Sequence, residues 1–393
     1  MESFRTYRHF TILRRLRRPA SLIALLAVFA CNALAAPRPA PTPPGSEARA
    51  FLLMDFLSGQ TIAEKNADDR VEPASLTKLM TAYIVFDELR LGHIKLQDNV
   101  LISEKAWRME GSRMFVEVNN RVSVEDLLQG MIIQSGNDAT VALAEHIAGS
   151  EDAFVNMMNL QAARLGMTAS LFANSSGMPD PNHYTTARDL GLLTRALIRN
   201  FPEYYKWYSV QSFTFNGITQ HNRNKLLARD KSVDGLKTGY TESAGYCLIT
   251  SAQRDNMRLI SVVLGTSSEN ARAEESQKML NYGFRFFETH KLYDSGKELA
   301  RTRIYKGSED EVPLGLMDDL YVTVAQGRYK DIQASLSINN LIIAPAAKGQ
   351  QLGLVNVTLD GNNIAQRPLL ALQEITEGGW WRRLTDATLL LFQ

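Results

Sequence analysis

Pro73-Ala74-Ser75-Leu76-Thr77-Lys78 opens an apolar run that continues to Leu91 and stops at Gly92. From Ala74 to Leu91 the run is apolar on most faces of a 3.6-residue repeat, which predicts a deeply buried helix with Ser75 at its start. Residues three apart share a helix face, so Ser75 and Lys78 come within hydrogen-bond reach. A serine hydroxyl is a poor nucleophile until a base takes its proton. A lysine amine can act as that base once burial and a second cation, such as Lys237, have lowered its pKa. The neighbours Leu76, Leu79 and Met80 favour a buried lysine over a solvated one. The helix dipole favours negative charge at the end where Ser75 sits.

Two further motifs follow in fixed order, Ser135-Gly136-Asn137 and Lys237-Thr238-Gly239. Ser-x-Asn alone says little, since it recurs at Ser268-Glu269-Asn270 and Ser337-Ile338-Asn339. The ordered set carries the information. Ser135 and Asn137 fall in a break between two helices that projects them outward. There a hydroxyl can relay a proton to a leaving amine, and an amide can hold a peptide carbonyl. Taken alone, the pair reads better as a loop with Asn137 capping a helix from Asp138. Lys237 and Thr238 end a strand and make a carboxylate clamp, while Gly239 lets a ligand backbone lie close to the strand edge. Arg272, just ahead of a helix expected from Ala273, is a further candidate to hold an anion. The combination suits acyl transfer through a serine ester on a substrate ending in a carboxylate.

Composition sets the frame. The chain has 393 residues, 45% hydrophobic and 22% charged, which fits two globular domains. There is no basic excess to suggest nucleic acid. The first 36 residues carry Arg5, Arg8, Arg14, Arg15, Arg17 and Arg18 against Glu2. The apolar run Leu22–Ala30 and Ala33-Leu34-Ala35 follow, the pattern of an export signal cleaved near Ala35 or Ala36. Without it the net charge falls from +1 to −4. Cys31, faintly like a lipoprotein acylation site, would leave with the signal. Cys247 would then be alone, with no intramolecular disulfide possible and a packing role in an apolar run. These features fit a bacterial periplasm.

After a Pro-rich arm (37–47), Ala50–Phe56 and Thr61–Glu64 read as a hairpin. Helices are expected at Val124–Ile133, capped by Ser123, at Asp138–Ala148, from Ser150 to Gly166, and from Thr186 to before Pro202. Strands follow at 233–238, 245–252 and 257–264, then a helix over 273–289 with Met279, Leu280, Phe284 and Phe287 on one side. The expected architecture is α+β: a mainly antiparallel sheet covered by helices, plus a helical lobe, with the cleft between them. From 291 to 377, short apolar segments around 299–305, 320–325, 332–338, 352–359 and 367–372 predict a small all-β domain. Residues 378–393, with Trp380, Trp381, Arg382, Arg383 and the apolar Leu389–Phe392, suit a membrane interface. Packing of this segment on the β domain is the plainer alternative.

These motifs resemble those of the penicillin-binding protein and serine β-lactamase superfamily, nearest to the low-molecular-mass D-alanyl-D-alanine carboxypeptidases (peptidase family S11). The resemblance covers nearly the whole mature chain. It includes Gln134-Ser135-Gly136-Asn137-Asp138-Ala139, Val233-Asp234-Gly235-Leu236-Lys237-Thr238-Gly239 and Gly283-Phe284-Arg285-Phe286-Phe287-Glu288. It implies a β-lactamase/transpeptidase-like domain over 48–290, with Ser75 as acylated nucleophile, Lys78 as general base and Ser135 as proton relay. Asn137 would contact the substrate amide, Lys237, Thr238 and Arg272 would bind the terminal carboxylate, and Gly239 would be a substrate-binding position on the strand edge. The N–H groups of Ser75 and Tyr240 would form the oxyanion hole. Histidine is expected after Lys-Thr-Gly in the nearest relatives, so Tyr240 marks a departure in cleft shape.

The implied substrate is a peptidoglycan stem peptide ending D-Ala-D-Ala, with β-lactams as covalent inhibitors and no cofactor or metal. The implied location is the periplasm, at the outer face of the cytoplasmic membrane, through residues 380–392. An endopeptidase, a class A β-lactamase and a non-catalytic wall-binding scaffold are the alternatives. The β-lactamase reading lacks its deacylating glutamate, since none occurs from Asp152 to Pro202.

Overall fold

The computed structural model describes residues 40–392. The expected export signal and Cys31 lie outside the described residues. The hairpin of β1 (Ala50–Asp55) and β2 (Thr61–Lys65) begins a five-stranded antiparallel sheet. β3 (Val233–Thr241), β4 (Gly245–Arg254) and β5 (Met257–Thr266) complete it in the order β2-β1-β5-β4-β3. Side chains alternate across a strand, and β1 uses both faces: Phe51 and Leu53 join one core, Leu52 and Met54 the other.

The Phe51 face is covered by α6 (Glu269–Phe286). The opposite face meets α1 (Lys78–Leu91) and the helical lobe, made of α2 (Val124–Gln129), α3 (Asn137–Ala148), α4 (Glu151–Arg164) and α5 (Ala187–Asn200). Nine consecutive residues of α1, Lys78 to Phe86, are buried, as its apolar pattern predicts. Ser123, Ser150 and Thr186 cap their helices, each accepting the backbone N–H three residues on.

Several boundaries differ from expectation. Ser268 caps α6 by accepting from the Ala271 N–H, so the Ser-x-Asn lookalike there is a helix start and Arg272 lies inside the first turn. The helix stops at Phe286; Phe287 and Glu288 belong to β6 (Phe287–Tyr293). The expected domain boundary near residue 290 therefore falls within a strand. Two short antiparallel strand pairs, Asn99–Leu101 with Arg121–Ser123 and Ser212–Phe215 with Ile218–His221, were not legible in the sequence.

The C-terminal β region contains β7 (Glu298–Arg303), β8 (Glu311–Gly315), β9 (Leu320–Ala325), β10 (Ile332–Ile338), β11 (Gln351–Leu359) and β12 (Asn362–Ala371). β6 pairs with β9, and the other five form a sheet in the order β7-β8-β12-β11-β10. β8 was missed because Pro313 interrupts it. Thr289 donates to Asp55 at 2.8 Å and Ser58 meets Thr323 at 2.6 Å, which joins the region to the β1–β2 turn.

The final helix, α7 (Trp380–Leu389), touches the β region through its polar side. Asp386 accepts the Lys306 N–H at 2.5 Å, and Arg382 pairs with Asp310. Trp380, Trp381 and Leu384 remain exposed. The segment is thus both packed on the β region and apolar on its outer face. Among the described residues no helix is long and apolar enough to cross a membrane.

Candidate active site

Ser75 lies in a single 3-10 turn, Ala74–Thr77, that feeds directly into α1. Ala74 has a φ of +47°, a left-handed conformation that costs a β-carbon-bearing residue free energy and survives only where packing enforces it. The enforcing contacts come from two sides. A Cβ on Gly177 would stand 1.8 Å from the Ala74 carbonyl oxygen. One on Gly239 would meet Leu76 Cγ at 3.2 Å, Ala74 Cβ at 3.3 Å and the Pro73 oxygen at 3.3 Å. Gly239 therefore makes room for the nucleophile's own turn, and it also lines the cleft, where a ligand backbone could lie against the strand edge.

Lys78 Nζ is 3.0 Å from Ser75 Oγ, 2.7 Å from Asn137 Oδ1 and 2.6 Å from the Ser176 carbonyl oxygen. Burial lowers its pKa to about 7, with the Arg223 cation adding to the effect and Asp138 opposing it. The sequence pointed to burial and a second cation such as Lys237, and the charges of Lys78 and Lys237 do oppose each other; Arg223, which lines the cleft, was missed. An amine with that pKa is substantially neutral near pH 7. Neutral lysine has two N–H donors and one lone pair. Asn137 Oδ1 and the Ser176 oxygen are pure acceptors and take the two donors, which leaves the lone pair facing the Ser75 hydroxyl.

Ser135 has a φ of +70° and ends a wider π-type turn, Gly130–Gln134. Its hydroxyl accepts from Lys237 Nζ at 2.8 Å. Lys237 is itself buried, and burial together with Lys78, Arg223 and Arg272 holds its pKa well below the ordinary value. Ser135 and Asn137 are buried against these two lysines, contrary to the expected outward projection. Nor does Asn137 cap the helix. It is the first residue of α3, and its Nδ2 donates to the Glu110 oxygen at 2.6 Å. Asp138, fully buried, accepts the N–H groups of Met114, Phe115 and Val116 and so fixes the loop that walls the cleft.

β3 is an edge strand and runs on to Thr241, so Lys237, Thr238, Gly239 and Tyr240 lie along one wall. Arg272 reaches back from α6 to donate to the Gly239 oxygen at 3.3 Å. Tyr240 stands opposite Tyr246, their rings 4.4 Å apart, with the Arg272 guanidinium 5.5 Å from the Tyr246 ring. Ser75, Ser135, Asn137, Thr238, Tyr240 and Arg272 all line one cleft. The structure thus brings every motif residue together. Cys247 is buried away from solvent, and burial raises its thiol to about 11, in line with a packing role.

A hydroxyl, a buried amine aimed at it, a second hydroxyl–lysine pair and a cationic strand edge define a serine acyl-transfer enzyme on a transpeptidase-like fold. The family profile described as D-alanyl-D-alanine carboxypeptidase (peptidase S11) matches residues 38–268, and that of the penicillin-binding protein 5 C-terminal domain matches 287–377. The chain is 43% identical to D-alanyl-D-alanine carboxypeptidase DacC of Escherichia coli K12, covering 96% of each. It is also 43% identical to DacA of Haemophilus influenzae, over 88% of this chain and 89% of that protein. The crystal structure of penicillin-binding protein 5 from Haemophilus influenzae superimposes with a TM-score of 0.82 at 44% identity, over 86% of this chain and all of that one. Penicillin-binding protein D2 of Listeria monocytogenes in its ampicillin-bound form matches 62% of the chain, and all of its own, with a TM-score of 0.58 at 31% identity. The chain belongs to the peptidase S11 family of D-alanyl-D-alanine carboxypeptidases, the low-molecular-mass penicillin-binding proteins.

Proposed function

We propose that the chain removes the terminal D-Ala from peptidoglycan stem pentapeptides through an acyl-enzyme on Ser75. The carrying observation is the lone pair of Lys78 directed at Ser75 Oγ by two fixed acceptors. Lys78 takes the hydroxyl proton as Ser75 attacks the penultimate carbonyl. The N–H groups of Ser75 and Tyr240 receive the oxyanion, and Thr238, Lys237 and Arg272 hold the terminal carboxylate. Ser135, bonded to Lys237, passes a proton to the departing D-Ala amine, while Asn137 holds the substrate amide. Water then hydrolyses the ester. Purified enzyme supplied with a pentapeptide ending D-Ala-D-Ala releases free D-Ala under this reading; no release refutes it.

β-Lactams acylate Ser75 and leave slowly. The one carboxylate side chain lining the described cleft, Glu269, is engaged 3.0 Å from Lys225 and lies 3.9 Å from Arg272, a poor position for activating deacylating water. Rapid turnover of a chromogenic cephalosporin would contradict this.

The exposed Trp380, Trp381, Leu384, Leu389 and Leu391 support a peripheral anchor on the outer face of the cytoplasmic membrane, with the enzyme in the periplasm. Sedimentation with vesicles containing anionic lipid tests it: the chain pellets, and a Trp380→Ser, Trp381→Ser, Leu384→Ser variant stays in the supernatant.

A further inference from the structure

The two N–H groups assigned to the oxyanion come from different segments, Ser75 from the 3-10 turn and Tyr240 from the far end of β3. β3 is an edge strand paired with β4 alone, so nothing in the sheet holds its end toward Ser75. A carboxylate bridges the two segments. Glu72 Oε2 accepts from Thr241 Oγ1 at 3.3 Å and from Ser243 Oγ. Thr241 ends β3, and Ser243 lies in the turn that leads into β4. The Thr241 hydroxyl also accepts the Ala244 N–H at 3.0 Å, which folds the turn back on the strand.

This fastening brackets both donors. On one side of Tyr240, Gly239 packs against Pro73, Ala74 and Leu76; on the other, Thr241 is bonded to Glu72. Between Glu72 and Ser75 stand Pro73, whose ring fixes φ, and Ala74, held at a φ of +47°. The position of the carboxylate therefore reaches Ser75 through two residues with little freedom. Glu72 is half-buried and does not line the cleft.

We propose that Glu72 is a positioning residue for the oxyanion hole, holding the Tyr240 N–H at a fixed separation from the Ser75 N–H through Thr241 and Ser243. The inference rests on the acyl-enzyme reading above. A donor aimed at a developing oxyanion is worth about 10²–10³ in rate, and a displacement of about 1 Å can cost about 10². Loss of the tie therefore lowers the acylation rate constant. Lys237 and Thr238 lie ahead of Gly239, which stays packed on the Ser75 turn, so the carboxylate clamp and ground-state binding are kept.

Stopped-flow acylation of the full chain by penicillin tests this. Glu72→Ala lowers the acylation rate constant by about 10- to 100-fold and leaves the preceding binding constant within about twofold of the parent. Glu72→Gln, whose amide oxygen still accepts both hydroxyls, keeps most of the rate. Affinity for a boronic acid analogue of the peptide, which forms a tetrahedral adduct on Ser75, falls in parallel with the rate constant. The pH midpoint near 7 stays in place, since Lys78 is untouched. The Thr241→Val, Ser243→Ala double variant removes the donors from the other side and reads the same tie even where Glu72→Ala fails to fold. It reproduces the defect and adds little to it when combined with Glu72→Ala. A parental rate in Glu72→Ala or in the double variant, an equal loss in Glu72→Gln, a moved midpoint or a loss confined to binding overturns the proposal. A parent chain that takes no adduct at Ser75 overturns instead the acyl-enzyme reading on which it rests.

Discussion

The Ser176 carbonyl oxygen lies 2.6 Å from Lys78 Nζ, so a backbone group on a loop orients the amine. The loop is held in turn by Glu151, which accepts from the Ser175 N–H at 3.0 Å and its hydroxyl at 2.6 Å, and by Asn174, which accepts the N–H groups of Gly177 and Met178. Lys105 pairs with Glu151 at 2.8 Å on the outer side. Positioning of the base thus extends from the surface to the nucleophile.

Glu151→Ala should slow acylation by penicillin by about 10- to 100-fold, because displacing a reacting group by about 1 Å can cost that much. Glu151→Gln, which keeps an acceptor for Ser175, should retain most of the rate. Stopped-flow acylation separates the rate constant from the preceding binding step; the loss belongs in the rate constant.

Acylation should rise with pH through about 7 and level off above it, since the active form of Lys78 is the neutral amine and its pKa is lowered to about 7. Lys78→Ala should lose about 10²–10⁴-fold, the usual worth of a positioned general base. The pH profile of second-order acylation by a β-lactam checks both.

His183 is buried with Nε2 2.9 Å from Thr77 Oγ1, and burial lowers its pKa from 6.5 to about 4. The unfolded chain binds this proton below about 6.5 and the folded chain only below about 4. The stabilisation is complete above pH 6.5 and is lost progressively as pH falls toward 4, by up to ~3 kcal/mol. Chemical denaturation of His183→Asn across this range should show a flatter dependence on pH than the parent chain.

Gly177→Ala should be severe. Its φ is +88° and the added Cβ would overlap the Ala74 oxygen, so either the loop or the Ser75 turn must move. A fall in Tm of several degrees with loss of penicillin labelling is expected. Gly149→Ala, also at positive φ but with open space around it, should lower Tm less and leave labelling intact.

The three motifs, the helix behind Ser75 and the sheet-plus-lobe architecture were legible because each rests on side-chain type and apolar period. What escaped was carried by backbone or by distance. The Ser176 and Glu110 carbonyls that hold Lys78 and Asn137 have no side-chain signature. Arg223 stands beside Asn224, whose Nδ2 donates to the Gly235 oxygen at 3.0 Å, a contact across the chain that periodicity does not reveal. Gly239 was read for its place on the cleft wall, and its second contact, with the Ser75 turn, was not foreseen. Helix α6 was expected four residues late because Ser268-Glu269-Asn270 was seen as a motif lookalike and its capping serine passed unnoticed. Its end was misplaced because Phe287 fits a helical face as well as a strand.

The central claim is that Ser75 is the acylated nucleophile. Intact-mass measurement after exposure to penicillin, followed by peptide mapping, addresses it directly. One adduct per chain is expected, on the peptide containing Ser75, and none in Ser75→Ala. An adduct at any other residue, or labelling that survives in Ser75→Ala, would contradict the account.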